Sequence, residues 1–147
     1  MGFSEAVRTC LKLKYATFEG RAARSEYWYF YLFFLLVLLV LALLGLGLMA
    51  MIGDPNAYNS MFLYFSPSLI ALLALFIPML SVTIRRLHDR DMSGWWYLGF
   101  MVMGAIPYIG FIASIALLVI TCLKGTNGPN RFGRDPLGAQ HSADVFA

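Results

Sequence analysis

Three long stretches without a charged residue dominate the pattern of hydrophobic and polar positions along this chain. They separate Glu26 from Asp54, Asp54 from Arg85, and Asp91 from Lys124, and they contain 27, 30 and 32 residues. A helix needs about 20 apolar residues to cross a hydrocarbon core about 30 Å thick. Each stretch is therefore long enough to cross a membrane, whereas the core helices of soluble proteins have no need of such runs.

The first two stretches each predict one membrane-spanning helix. Trp28 to Leu48 holds ten Leu, three Phe and two Val, which each favour insertion by about 0.3–0.6 kcal/mol near the centre of a bilayer. This run exceeds the roughly 7–15 apolar residues of a cleaved signal peptide. We place the first segment at about 27–52 and the second at 61–85, where Pro78 should kink the helix.

The third stretch, residues 92–123, is about 48 Å long as one helix, too long for a comfortable single crossing. It contains Pro107 between Gly104 and Gly110, which is typical of a turn. We therefore expect segments at 93–105 and 107–123, the first of them short. A full hairpin, a re-entrant hairpin and one kinked helix all remain open.

Near the amino end, Phe3, Val7, Cys10 and Leu11 recur at the spacing of one helical face. This pattern predicts an amphipathic helix over residues 3–14. Such a helix either lies flat at the membrane surface or packs against the end of the helix bundle.

Together these elements predict an all-α, polytopic helical membrane protein. It contains two helical hairpins, with four membrane segments of which the third is short, and an N-terminal amphipathic helix. Residues 1–136 form one membrane domain, and residues 137–147 form a flexible polar tail.

The distribution of charge predicts the orientation in the membrane. The net charge is +3, and the basic residues lie in the amino-terminal segment, the 85–91 loop and the segment after residue 123. Cytoplasmic loops are rich in Lys and Arg, so we expect both termini in the cytoplasm and the 53–60 loop, which lacks Lys and Arg, outside. This bias accounts for the positive net charge, so we expect no binding to nucleic acid. Two lone cysteines in a reducing compartment predict neither a disulfide nor a metal site.

Three ordered motifs carry most of the charge: GRAARSEYW at 20–28, RRLHDRDMSGWW at 85–96 and GPNRFGRDP at 128–136. Together they resemble the bacterial inner-membrane family catalogued as domain of unknown function 805, over about residues 3–136. Ala23 departs from the basic residue expected there in many members. The resemblance implies a multi-pass protein of the plasma (inner) membrane with a cytoplasmic carboxyl end, and it implies no mechanism.

We expect these motifs to meet at one membrane face. There they form either a polar network that holds the helix ends or a site for anionic lipid headgroups. On one helix, Arg85 and Asp89 stand at i, i+4 and Arg86 and Asp89 at i, i+3, which favours ion pairs. The candidate residues are Arg21, Arg24, Glu26, Arg85, Arg86, His88, Asp89, Arg131 and Asp135.

The function predicted from the sequence is that of a small integral inner-membrane protein of unknown activity with a structural or interaction role. The alternatives are a transporter or channel-like subunit and a protein that binds anionic lipid headgroups. His88 beside Asp89 is the one candidate for acid–base catalysis, and no nucleophile, metal spacing or phosphate loop accompanies it. We therefore expect no enzyme and no cofactor. Partners would be membrane lipids, a second copy or another membrane protein.

Overall fold

The computed structural model describes residues 1–52 and 57–138, and for residues 57–60 it describes the main chain alone. Within those residues the regular elements are helical, apart from an isolated bridge between Asn130 and Gly133. The prediction of an all-helical chain is thus confirmed for the described residues. The helices are α1 (Phe3–Arg8), continued by a π-helical segment (Thr9–Leu13), α2 (Arg24–Ile52), α3 (Ala57–Asp89), α4 (Trp95–Gly104) and α5 (Ile109–Cys122).

Helices α2 and α3 supply two segments, Arg24–Ile52 and Met61–Asp89, that are long and apolar enough to cross a membrane. Large apolar side chains such as Leu43 and Leu73 lie exposed on them. In water such continuous apolar surfaces would be a liability, whereas lipid is their natural solvent. This part of the prediction, two long membrane-spanning helices, agrees with the structure.

The two long helices pack side by side in opposite directions. Glu26 of α2 contacts Arg85 of α3 at one end, and Gly45 of α2 lies against the Tyr64 carbonyl of α3 towards the other. The 53–60 loop that we expect outside the membrane overlaps the residues that the structure leaves undescribed.

The chain between 92 and 123 forms two helices. Helix α4 ends at Gly104 and α5 begins at Ile109, and Gly110 approaches the Gly104 main chain so closely that the chain must turn back there. The single kinked helix is therefore wrong. With 10 and 14 residues, the two helices rise about 15 and 21 Å. Whether this hairpin is full or re-entrant stays a prediction.

The amino-terminal helix packs against the bundle. Ala6 and Cys10 are fully buried, and Cys10 belongs to an apolar cluster with Phe30 of α2 and Val82 of α3. The Phe3 ring meets the edge of the Tyr29 ring at 6.1 Å. Of the two placements predicted, the packed one describes the structure.

Helix α3 runs past the predicted end at residue 85 as far as Asp89, and it passes Pro78 without interruption. Thr126, Asn130 and Phe132 of the segment after α5 then contact the last turn of α3. We call this part of the molecule, where α2 begins and α3 and α5 end, the charged end. The last nine residues of the predicted tail, 139–147, lie outside the described part of the chain.

Candidate functional site

The last turn of α3 carries three charged side chains that are withdrawn from solvent. Arg85 and Arg86 have no exposed surface, and Asp89 is 4% exposed. Charged residues are almost never buried to this degree unless they are paired. The extension of α3 beyond residue 85 therefore depends on partners supplied by other segments.

Arg85 finds its partner on the neighbouring helix. Its guanidinium forms an ion pair with the carboxylate of Glu26, which is itself 3% exposed. The Cys10 sulfur lies 3.9 Å from both the Arg85 guanidinium and the Glu26 carboxylate. This contact joins the π-helical segment that continues α1 to α2 and α3 at the charged end. The Arg85 Nε has no hydrogen-bond partner within the described residues.

Asp89 is shared by two arginines. One carboxylate oxygen accepts from the Nε of Arg21 at 2.9 Å and lies 2.8 Å from its terminal nitrogen. The other pairs with Arg86, three residues earlier on α3. Arg21, Glu26, Arg85, Arg86 and Asp89 together form what we call the buried network. It holds three cations and two anions.

Main-chain carbonyls at the end of α5 accept from the Arg86 guanidinium. Arg86 donates to the carbonyl of Thr121 at 3.0 Å and to that of Leu123. The last carbonyls of a helix lack internal partners and carry partial negative charge. Arg86 thus gives a donor to these carbonyls at the end of α5, and their partial negative charge offsets part of the surplus positive charge of the buried network.

Arg21 binds the segment after α5 in the same way. It donates to the carbonyls of Thr126 and Gly128, each at 2.6 Å. The main-chain N–H of Thr126 in turn donates to the Asp89 carbonyl at 2.8 Å. One arginine before α2 therefore fixes the carboxyl-terminal segment against the end of α3.

The carboxyl-terminal motif also contacts His88. The Asn130 amide donates to the His88 carbonyl at 2.9 Å, and the Phe132 ring stacks on the imidazole with centroids 3.9 Å apart. The Nδ1 of His88 lies 3.1 Å from the carbonyl of Gly20. His88 therefore joins the first and third sequence motifs to the second.

Gly125 allows this close docking. A Cβ atom built at Gly125 would lie 2.0 Å from a carboxylate oxygen of Asp89 and 2.6 Å from its Cγ. Carbon atoms in contact normally lie about 3.5–4.0 Å apart. Only a residue without a side chain fits against Asp89 in this arrangement.

The candidate residues do not all converge. The five of the buried network do, and His88 adjoins them. Arg24 is exposed, with its guanidinium 3.5 Å from the Cys122 carbonyl. Arg131 pairs with Asp91 at 3.2 Å, where both side chains are largely exposed. Asp135 accepts from main-chain N–H groups of its own segment.

One pairing expected from the helical spacing is wrong. Arg85 stands at i, i+4 from Asp89, yet it pairs with Glu26, while Arg86 takes the i, i+3 position. Successive side chains of a helix point about 100° apart, so Arg85 faces α2 and Arg86 faces α5.

Several residues of the site carry no signal that sequence reasoning could have used. Thr121, Leu123 and Thr126 contribute main-chain carbonyls, which any residue type would provide. The role of Gly125 could not be predicted either, because a glycine directly after a helix is usually explained by the turn that ends the helix.

Comparison with known proteins identifies relatives over most of the chain. The family described as "Protein of unknown function (DUF805)" matches residues 15–134. Inner membrane protein YhaI of Escherichia coli K12 is 43% identical over 122 residues, covering 83% of this chain and 87% of YhaI. Inner membrane protein YhaH of the same strain is 40% identical over 123 residues, covering 83% of this chain and 88% of YhaH. Uncharacterized protein YiiR of that strain is 24% identical over 146 residues, covering 87% and 91%.

No solved structure matches the chain. The matched residues include all three charged motifs except the last two positions of the third, so the resemblance seen in those motifs is confirmed. With relatives named inner membrane proteins and two helices apolar enough to cross a bilayer, the chain belongs to the inner-membrane family of unknown function DUF805.

Proposed function

We propose that this protein has a structural or interaction role in the inner membrane and presents a conformationally fixed charged face on the cytoplasmic side. The observation that carries the proposal is the carboxylate of Asp89, which binds Arg21 and Arg86 at once. Removing one partner of a buried ion pair leaves an uncompensated charge and costs about 3–5 kcal/mol. Such a network favours one arrangement of the helix ends over others.

The proposed topology has four membrane segments, with α4 and α5 as the second hairpin and both termini cytoplasmic. Its support is that basic residues from three separate regions meet at one end of the bundle. Arg21 precedes α2, Arg86 lies in the last turn of α3, and Lys124 follows α5. A shared basic end is the pattern of a cytoplasmic face.

The transporter and enzyme alternatives receive less support from the same residues. Residues 27–52 and 61–84 contain no ionisable Asp, Glu, Lys or Arg, and such groups commonly mark substrate and ion paths inside membranes. Both Asp89 oxygens are engaged by arginines rather than by His88. Within the part of the chain that the structure describes, His88 thus has no carboxylate partner of the kind that orients a histidine general base.

The test combines topology with contact mapping in cells. A reporter that is active only in the periplasm, fused after Ala147, should stay silent. A photo-crosslinking residue at position 131, on the charged end, should give one discrete adduct, either a second copy or another membrane protein. Asp89→Asn should weaken that adduct, because the charged end loses its fixed arrangement. The same crosslinker at the lipid-exposed position 43 is the matched control.

Three results would contradict the proposal. An active reporter would reverse the orientation. An adduct unchanged by Asp89→Asn would separate the interaction from the fixed charged face. Ion or solute flux through proteoliposomes containing only this protein would establish the transporter alternative instead.

A further inference from the structure

An open cleft of about 780 Å³ lies at the charged end, between the start of α2 and the segment that follows α5. Its lining contains four cationic side chains and two carboxylates. The cations are Arg21, Arg24, Lys124 and Arg134, and the carboxylates are those of Asp89 and Asp135. The cleft therefore has a surplus of positive charge.

Three of these cations are available to a ligand, unlike Arg21, which is committed to Asp89. Arg24, Lys124 and Arg134 are all exposed. Lys124 and Arg134 form no ion pair within the described residues, and the contact of Arg24 with the Cys122 carbonyl is at the outer limit of a hydrogen bond, 3.5 Å. All three line the cleft, and none of them forms an ion pair with a carboxylate within the described residues.

Both carboxylates of the cleft are engaged by the protein itself. Asp89 binds Arg21 and Arg86. Asp135 accepts from the N–H of Gly128 at 3.1 Å and from that of Leu137 at 2.9 Å. An incoming anion therefore meets carboxylates whose charge is already partly offset.

A second groove, of about 420 Å³, adjoins the cleft through Arg24. It is lined by Arg24, Ser25, Trp28, Tyr29 and Cys122. Trp and Tyr at the start of a membrane-spanning helix lie at the depth of lipid headgroups. Arg24 thus separates an aromatic groove at that depth from a positively charged cleft beyond it.

We propose that this cleft binds a phosphorylated anion, with Arg24, Lys124 and Arg134 as the groups that hold the phosphate. Guanidinium groups bind phosphate through paired, charge-assisted hydrogen bonds, and an ammonium adds a compact charge. The phosphate can belong to a lipid headgroup or to a soluble phosphate ester. The adjoining groove at Trp28 and Tyr29 favours the lipid. The site goes beyond the structural role proposed above, since none of the three cations belongs to the buried network.

The experiment compares lipid retention and anion binding in purified, detergent-solubilised protein. Native mass spectrometry counts phosphatidylglycerol against phosphatidylcholine retained from mixed micelles, and calorimetry measures binding of inorganic pyrophosphate. The variant is the triple substitution Arg24→Gln, Lys124→Gln and Arg134→Gln. Each basic residue near an anionic surface strengthens binding about fivefold, so the triple variant should bind about 100-fold more weakly.

Arg131→Gln is the matched control. It removes the same charge from the same exposed segment, but Arg131 does not line the cleft. It should change binding less than twofold, because Asp91 already offsets the charge of Arg131. An equal loss in this control would show general surface charge and overturn the proposal, as would a triple variant that binds like the wild type.

The two arms distinguish the sources of the phosphate. Selective retention of phosphatidylglycerol without pyrophosphate binding identifies a lipid headgroup, and pyrophosphate binding that displaces the lipid identifies a soluble anion. Circular dichroism checks the fold of the triple variant. If its fold is lost, the double variant Lys124→Gln and Arg134→Gln gives the same test, with an expected weakening of about 25-fold. Failure to bind either probe in the wild type overturns the site and leaves the structural proposal standing.

Discussion

The hydroxyl of Tyr15 donates a hydrogen bond to the main-chain carbonyl of Ala74. In an uninterrupted helix this carbonyl would accept the N–H four residues later, at Pro78, which has none. The segment before α2 therefore supplies from outside the helix the hydrogen bond that Pro78 removes from α3. A neighbouring side chain thus satisfies the carbonyl that the proline frees, which is how prolines are tolerated inside membrane helices.

At the other proline of α3, a side chain again replaces the hydrogen bond that the proline cannot donate. Pro67 leaves the carbonyl of Leu63 without its helical donor, and the Ser66 hydroxyl donates to that carbonyl at 2.9 Å. The replacement donor thus comes from a neighbouring residue at Pro67 and from a residue distant in sequence at Pro78. The distant bond makes the stability of α3 depend on the amino-terminal segment.

Tyr15→Phe should lower the free energy of unfolding by about 1 kcal/mol, because it leaves the Ala74 carbonyl without a donor. In a Pro78→Ala background, residue 78 regains an N–H that can bond to that carbonyl. The same Tyr15 substitution should then cost less than half as much. Equilibrium unfolding of all four proteins in detergent completes a double-mutant cycle. Equal costs in both backgrounds would contradict the assignment.

Asp89→Asn should destabilise the protein strongly, because two buried arginines lose their shared counter-charge. We expect a loss of about 3–5 kcal/mol. Asp91→Asn is the control two residues later: its partner Arg131 and Asp91 itself are largely exposed, and such a pair contributes at most about 1 kcal/mol. Unfolding of both variants in the same detergent measures the difference. Similar losses would mean that burial does not govern these pairs.

The elements of the fold follow from features that act along the chain. Charge-free runs of 27 and 30 residues admit little besides long apolar helices. The third run turns at Pro107 because Gly104 and Gly110 flank it, a combination typical of a turn, whereas α3 has no glycine near either of its prolines. The meeting of the three charged motifs was also predictable, because their basic residues all belong at one membrane face.

The individual pairings could not be predicted, because they depend on how helices face each other. Spacing on α3 alone favours Asp89 as the partner of Arg85, whereas packing of α2 against α3 brings Glu26 there instead. Arg86 binds main-chain carbonyls of α5, acceptors that no side-chain pattern reveals. The stacking of Phe132 on His88 likewise requires the folded path of the carboxyl-terminal segment.

Gly125→Ala should displace either the Asp89 carboxylate or the segment that follows α5. The added methyl group would lie 2.0 Å from a carboxylate oxygen, and relief of this overlap should cost about 1–3 kcal/mol of stability. Gly99→Ala in the interior of α4 is the matched control, since a Cβ there meets nothing within 4 Å. That variant should be neutral or gain up to about 1 kcal/mol from helix propensity. A neutral Gly125→Ala would show that the segment is not held closely against Asp89.

Cys10 should resist thiol-specific reagents in the folded protein. Burial, followed by the neighbouring Glu26 carboxylate, raises the pKa of the thiol from 9.0 to about 11. Because the thiolate is the reactive form, at pH 8 its population falls about 100-fold relative to a thiol of pKa 9.0. The pKa is raised on folding, so the associated stability is fully present below pH 9 and is lost as the pH rises through about 11.

The measurement is the rate of iodoacetamide labelling at pH 8 in a Cys122→Ala background, followed by mass spectrometry. Folded protein should label at least about 100-fold more slowly than protein unfolded in dodecyl sulfate, since shielding adds to the shift in pKa. Raising the pH towards 10 should increase the folded rate about tenfold for each pH unit. Labelling of the folded protein at the unfolded rate would place Cys10 outside the contact between Glu26 and Arg85, and would remove the π-helical segment from the charged end.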